Sequence, residues 1–165
     1  MLIIKDKIQM FMTGYPTVSD KYNVAGGTLV GDEPAKFGDL VKSSATTGYY
    51  EVVSATNTIA AVTELKGFIV ATNVKLDEAF GGDVVNVQPG EAFNLLVNGF
   101  IAVELAAGAK EAEILSNAAC FVTAAGKVTT TGDAAKLGTA AIPNCVFTGM
   151  YEKRGGKVYA EIYVK

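Results

Sequence analysis

Few residues in this sequence combine the types and spacing that catalysis or metal binding requires. The chain of 165 residues contains no histidine, so the commonest general base and the commonest metal ligand are absent. That excludes a histidine-based serine or cysteine triad, and Cys120 and Cys145 alone are too few for a zinc site. The stretch AGKVT around Lys127 departs from the phosphate-loop pattern, because no Ser or Thr directly follows the lysine.

Neighbouring carboxylates are the remaining candidates for chemistry. Asp32 with Glu33, and Asp77 with Glu78, would need a pocket to act on a glycoside or a metal ion. A calcium site from Asp77, Glu78 and Asp83 lacks the regular loop spacing. Each pair lies beside turn residues, where carboxylates usually face water. We therefore predict no enzyme activity, no catalytic residue, no cofactor and no metal site.

The two cysteines are predicted to be structural. Cys120 and Cys145 lie in the strand-like stretches AACFV and NCVFT, and no CxxC motif occurs. Free cysteine is among the most buried residue types, so we expect two free, buried thiols. A single bridge between them is the alternative that the sequence leaves open.

Composition indicates an oligomer or a component of a larger assembly rather than a protein that binds nucleic acid or a membrane. Hydrophobic residues make up 50 %, charged residues only 19 %, and the mean hydropathy is +0.29, so part of the surface is expected to be covered by a partner. The net charge of −3 without a basic cluster argues against nucleic acid. No 18-residue apolar run and no signal peptide are recognisable, so no membrane span is expected.

Most of the chain reads as strands and turns. Short runs rich in Val, Ile, Thr, Phe and Tyr recur every 8 to 12 residues or so, separated by Gly, Asp, Asn or Pro. This pattern predicts an all-β fold, a compact antiparallel β-barrel or sandwich with at most one or two short helices. The runs, by sequence, are GTLV, FGDLVK, GYYEVV, TIAAVT, GFIVATNVKL, DVVNVQ, FNLLV, GFIAVEL, ACFVT, KVTTT, CVFTGMY and KVYAEIYVK.

Residues 1–26 are predicted to be an extended N-terminal arm, and residues 27–165 the β-rich domain. Leu2, Ile4, Ile8, Met10 and Met12 fall on even positions, and Lys5, Lys7 and Gln9 fall on odd ones, which is the period of a strand with one covered face. Ile4, Ile8 and Phe11 also fit the spacing of a helix. Pro16 pushes Tyr15 out of the helical region. The large apolar side chains of Met10, Phe11 and Met12 need a pocket, so they are candidates either for the core or for an anchor in another subunit.

Turn residues divide the strands at specific places. Gly126, the pair Gly155-Gly156 and the pair Pro89-Gly90 are each predicted to form a tight turn. Asn98-Gly99 interrupts the apolar stretch GEAFNLLVNGFIAVEL, which predicts either a hairpin or one long strand bulged at that point. The adjacent Tyr49 and Tyr50 should point to opposite faces of a strand, although either could serve as a sugar-stacking platform.

The order of motifs along the chain resembles that of structural cement, or head-decoration, proteins of tailed bacteriophages. The resemblance covers most of the chain and carries no catalytic motif. Its pieces are GYPTVSDKYNVAGG, FGDLVKSSATTGYYEVV, KGFIVATNVKL, PGEAFNLLVNGFIAVEL, ACFVTAAGKVTT, PNCVFTG and AEIYVK.

That resemblance implies a structural virion protein on the outer capsid surface, made in the cytoplasm of a bacterial host. Its implied partners are the major capsid protein and further copies of itself, as a homotrimer, without nucleic acid or membrane. The alternatives are a tail-tube or baseplate β-domain and a carbohydrate-binding module. The residues expected to contact the capsid or a neighbouring subunit lie in the arm and are Ile4, Ile8, Met10, Phe11 and Met12.

Overall fold

The computed structural model describes residues 23–70 and 86–165. These residues form eleven strands, one short α-helix and one 3-10 helix, which confirms the all-β class. The helix α1 spans Glu111–Leu115, and the 3-10 helix spans Val62–Glu64. The strands are β1 Asn23–Leu29, β2 Ala35–Lys36, β3 Leu40–Ser43, β4 Tyr49–Val52, β5 Leu65–Val70, β6 Asn86–Val87, β7 Ala92–Glu104, β8 Phe121–Val122, β9 Val128–Thr129, β10 Cys145–Arg154 and β11 Lys157–Val164.

Five strands close into a small barrel. They pair in the order β1-β4-β3-β5-β7, and β1 also pairs with β7, which joins the two ends. All these ladders are antiparallel except β1–β4, which is parallel. The barrel encloses one apolar core, which β2 and β6 also line; its buried members are Leu29, Ala35, Phe37, Val41, Val52, Ile69, Val87, Phe93 and Leu95.

The three-stranded arrangement β7-β11-β10 continues from the barrel along the same long strand. A second core lies under this sheet and extends to the outer wall of the barrel, where Leu40, Phe68 and Leu96 contribute to it. From the sheet itself the second core receives Ile101 and Ile162, which pair across β7 and β11. Strand β7 therefore contributes to both cores, and it is continuous over 13 residues.

The hairpin predicted at Asn98-Gly99 is wrong, and the alternative of one bulged strand is confirmed. In the ladder with β1, Asn23 pairs with Asn98 and Val24 with Leu96, so Val97 has no partner residue. Gly99 follows with a φ of +136°, which favours glycine. An extra residue moves all later side chains of a strand to the opposite face. The odd-numbered core residues of β7 therefore face the barrel core before the bulge. After the bulge, the odd-numbered core residues of β7 face the second core.

The predicted strand TIAAVT is wrong, because residues 58–63 contain no strand. Ile59 and Val62 are buried as expected of apolar residues. The backbone N–H groups of Ala60 and Ala61 donate instead to the Glu64 carboxylate, at 2.8 and 2.9 Å. The Glu64 carboxylate thus takes the place of the carbonyl groups that a neighbouring strand would supply, and the chain continues as the 3-10 helix.

The other turn predictions are confirmed. Gly155 and Gly156 form the two-residue connection of the β10–β11 hairpin with φ of +57° and +77°, the signature of a type I′ turn. Gly126, at φ +77°, connects β8 to β9. Gly90 has φ +91°, and the N–H of Glu91 donates to the carbonyl of Gln88 across that turn.

None of the helices in the described ranges has the length and apolarity that a membrane span requires. The division into an arm, 1–26, and a domain, 27–165, stays a prediction. Residues 1–22 of the predicted arm lie outside the described residues, and residues 23–26 belong to β1.

Candidate interaction surfaces

Of the two candidate carboxylate pairs, only Asp32 and Glu33 lie in the part of the chain that the structure describes. Asp32 is exposed, and Glu33 accepts a hydrogen bond from the hydroxyl of Thr56. Asp77, Glu78 and Asp83, the carboxylates weighed as a calcium site, lie outside the described residues. Within residues 23–70 and 86–165 no three Cys, Asp or Glu side chains come together as a metal site would require.

Asp133 is a buried carboxylate with a structural role. It is 4 % exposed, its Oδ2 accepts from the hydroxyl of Thr129 at 2.5 Å, and its Oδ1 accepts from the N–H of Ala135 at 2.9 Å. The hydrogen bond from Thr129 is the main reason that the pKa of Asp133 lies below its ordinary value, against the opposing effect of burial. The carboxylate therefore organises the loop after β9.

The outer face of the sheet β7-β11-β10 carries half-buried aromatic rings and charged groups. Phe100 and Tyr163 stack with centroids 4.5 Å apart, and the guanidinium of Arg154 lies 4.8 Å from the centre of the Tyr159 ring. On the same face Lys157 forms an ion pair with Glu104 at 3.1 Å. Tyr, Phe and Arg are enriched at protein interfaces, so this outer sheet face is a candidate contact surface.

Alternation predicted only part of this outer sheet face. The period-two pattern of KVYAEIYVK placed Tyr159, Glu161 and Tyr163 together, and the structure confirms that Ala160 and Ile162 face inward. The stack on Phe100 could not be read from the sequence, because it depends on the register of β11 against β7.

Two carboxylates are held within the outer sheet face. Glu161 is only 6 % exposed, and its Oε1 accepts from the hydroxyl of Thr148 at 2.6 Å. Thr148 lies in an irregular part of β10, where the register slips between Phe147 and Tyr151. Glu152 Oε2 is buried and receives no hydrogen bond from the described residues.

A second candidate surface is apolar and lies where α1 meets β10. Leu115 is 59 % exposed and Met150 is 40 % exposed. The backbone next to Met150 lies close to that of Leu115, since a Cβ on Gly149 would lie 3.7 Å from the Leu115 carbonyl oxygen. Glu111 borders it and bonds Lys153 at 2.5 Å and the Tyr151 hydroxyl at 3.0 Å; these contacts lower the pKa of Glu111.

The third candidate surface lies on the barrel wall at the start of β1. Val24 is 40 % exposed, and Val97, the unpaired bulge residue of β7, is 52 % exposed. Val97 also borders a cleft of about 270 Å³ between β5 and the end of β11, whose rim includes Lys66 and Lys165. No signal in the sequence distinguished Val97 from the buried residues around it.

The remaining site predictions have separate outcomes. Tyr50 points inward and meets the ring of Phe93 edge-on at 5.8 Å, whereas Tyr49 is 41 % exposed, so the predicted opposite orientation is confirmed. Both cysteines are free and buried, also as predicted. The arm contacts lie outside the described residues and stay a prediction; they are Ile4, Ile8, Met10, Phe11 and Met12.

One family model matches most of the chain, and a solved structure shares its fold. Residues 10–164 match the family described as "Structural cement protein (E217 gp24/Pam3 gp6)". A chain from the solved structure titled "The capsid of Myoviridae Phage XM1" shares the fold, with a TM-score of 0.58 and 16 % identity over 93 % of this chain and 89 % of that one. A comparison with curated proteins gave no match. Since the family match extends over nearly all described residues, the chain belongs to the structural cement protein family.

Proposed function

We propose that this protein decorates the outer surface of a phage head and ties neighbouring major capsid subunits together as a homotrimer. The observation that carries the proposal is the family match over residues 10–164. The fold shared with a chain of a phage capsid structure supports it further. The role is mechanical, and it needs neither a cofactor nor a proton-transferring side chain.

Three candidate contact surfaces on the described part of the chain support the proposal. The outer sheet face, the Leu115–Met150 region and the barrel wall at Val24 and Val97 each expose aromatic or apolar side chains. Individually these surfaces are small. Several weak contacts made at the same time raise the effective concentration of each contact, so the combined affinity greatly exceeds that of a single surface.

A stiff body suits this role because it transmits force between the subunits that it bridges. The closed barrel and the continuous strand β7, which enters both cores, couple the two halves of the domain. Interiors packed at native density have low compressibility. A load applied at the outer sheet face therefore reaches the barrel wall through packed side chains.

The deciding experiment is to add the purified protein to heads of its phage that lack it and to locate it by electron microscopy. We expect density on the outer surface where neighbouring capsid subunits meet, with three copies around each position. Density in the tail tube or baseplate, or no binding to heads at saturating protein, would contradict the proposal.

The contribution of the arm can be measured separately on the same heads. Removing residues 1–13 should lower the occupancy while the β-sheet circular dichroism is kept. A full-length variant with Ile4, Ile8, Met10, Phe11 and Met12 changed to Ser should reproduce this loss. The matched control changes the charged arm residues Lys5 and Lys7 to Gln and should retain full occupancy. Equal occupancy of all four proteins would exclude the arm as the contact.

A glycan array and the size of the free protein distinguish the alternatives. Tyr50 is turned into the barrel, so only Tyr49 of the pair could stack on a sugar. Binding to an array that disappears in Tyr49→Ala would favour a carbohydrate-binding module, and rings of six in solution would favour a tail tube.

A further inference from the structure

The first half of β1 has an open backbone edge. The register of β1 with β7 runs without interruption from Val24–Leu96 to Thr28–Ala92. At its end, the N–H of Leu29 donates to Glu91, whereas the N–H of Thr28 donates to the opposite side, to Gly48. Backbone groups alternate in direction along a strand, so those of Val24 and Gly26 point away from β7.

The described residues supply nothing that pairs with this edge. Strand β4, which lies on that side, pairs with β1 only at Thr28 and Leu29. Asn23, Val24, Ala25 and Gly26 are all exposed, and a Cβ on Gly26 would have no atom within 4 Å. An exposed strand edge with unpaired N–H and C=O groups is a template for one more strand.

We propose that the residues from Leu2 to Met12 of a second copy of this chain add a strand to the open edge of β1. The arm is the occupant that the sequence favours, because Leu2, Ile4, Ile8, Met10 and Met12 all fall on even positions and predict a strand with one apolar face. Val24, 40 % exposed, offers that face an apolar neighbour, and the bare surface at Gly26 leaves room for large side chains.

The length of the connecting segment fits exchange between copies. Ten residues, 13–22, separate this predicted strand from β1 and reach at most about 33–36 Å when extended. That exceeds the radius of gyration of roughly 15 Å expected for a domain of this size. Pro16 favours an extended conformation at Tyr15. If each copy gives its arm to the next, the contact is head-to-tail and closes into a ring.

The inference deepens the proposed self-association but does not depend on binding to a head. Its tests therefore use the isolated full-length protein without capsids. Failure to decorate heads would contradict only the proposed function. Failure of the association and cross-linking tests would contradict only the exchange of arms.

The first test removes a single backbone donor from the edge. Gly26→Pro deletes the N–H that points away from β7 and puts a ring in the path of an added strand. The matched control, Gly26→Ala, keeps the N–H and meets no atom within 4 Å. We expect self-association, measured by light scattering over a dilution series, to weaken roughly tenfold or more in Gly26→Pro and to stay near wild type in Gly26→Ala. Circular dichroism and the melting temperature show whether both variants fold.

The second test asks whether the added strand comes from another copy. One chain lacks residues 1–13 and carries Val24→Cys. The other carries Gly26→Pro, which blocks its own edge, and one cysteine in the arm, scanned over positions 2, 4, 8, 10 and 12. The native Cys120 and Cys145 are buried and do not compete. Oxidation of the mixture should link the two different chains at one or two positions, as only close Cα atoms can be bridged.

Each outcome decides the matter. A link between the two different chains, together with weaker association of Gly26→Pro, supports the exchange. A third, full-length variant carries both Val24→Cys and the arm cysteine. The inference is overturned if this variant links within itself while the mixture of the two chains gives no link, because the arm would then fold back on its own β1. Equal association of Gly26→Pro and Gly26→Ala would also overturn it, as would a wild-type protein that stays monomeric.

Discussion

The backbone N–H of Cys120 donates a hydrogen bond to the carbonyl oxygen of Cys145 over 3.0 Å. The two residues are 0 % and 2 % exposed, and their thiols are free. Burial, followed by the neighbouring Cys145 thiol, raises the pKa of Cys120 far above its ordinary value. The pair closes the second core between β10 and the segment before β8.

Thiol reagents should therefore modify this protein only when it unfolds. The thiolate is the reactive form, and burial disfavours it at Cys120. We expect both cysteines of the native protein to react roughly a thousandfold or more slowly than in denaturant, in keeping with typical domain stabilities. Mass spectrometry of alkylated protein checks this. Rapid labelling of one cysteine in the native protein would show that the second core opens locally.

Replacing Thr148 by Val should destabilise the sheet β7-β11-β10. The substitution removes the hydroxyl that donates to Glu161 at 2.6 Å and leaves a nearly buried carboxylate oxygen without that bond. We expect a loss of about 1–3 kcal/mol in the free energy of unfolding, measured by urea titration. Thr148→Ser keeps the hydroxyl and is the control. Equal losses in the two variants would assign the effect to packing instead.

Gly126→Ala should cost more than the same change at Gly48. Both glycines have positive φ, +77° and +82°, so both variants strain the backbone by about 1–2 kcal/mol. At Gly126 the new Cβ would also lie 2.9 Å from Val53 Cβ and from its carbonyl oxygen, whereas at Gly48 it meets nothing within 4 Å. The difference in unfolding free energy, about 1–3 kcal/mol, measures this overpacking. Equal costs would mean that the segment at Val53 yields without strain.

Asp133 should make the free energy of unfolding fall as the pH is lowered into the acid range. Its folded pKa lies below the ordinary value of 3.8, so its contribution is fully present above that value and is lost as the pH falls through the folded pKa. We expect wild type to exceed Asp133→Asn in unfolding free energy at pH 6 and the difference to shrink below about pH 4.

The comparison with Asp133→Asn is needed because Asp39 acts in the opposite direction. Burial is the main cause that raises the pKa of Asp39, so this group favours the folded state as the pH falls below its raised pKa. Because Asp39 is present in both proteins, its effect cancels in the difference. A difference between the two proteins that stays constant from pH 6 to pH 2 would contradict the role of Asp133.

The three candidate surfaces were only partly predictable. Alternation in KVYAEIYVK placed Tyr159 and Tyr163 on one face, because side chains of a strand alternate whatever it pairs with. The contacts of Phe100 and the exposure of Val97 depend on the register of β7 against two different neighbours. Register is a long-range property, and a single sequence does not state it.

The sequence by itself determined the class of fold, the positions of the turns and the burial of the cysteines. Those features follow from local preferences: glycine accepts positive φ, β-branched and aromatic residues favour strands, and an isolated apolar cysteine is buried. It also located the interruption at Asn98-Gly99. Only the tertiary structure decided that the chain there continues as one strand, because a hairpin and a bulge use the same residues. The choice depends on which partners pair with each half, β1 and β5 before the bulge and β11 after it.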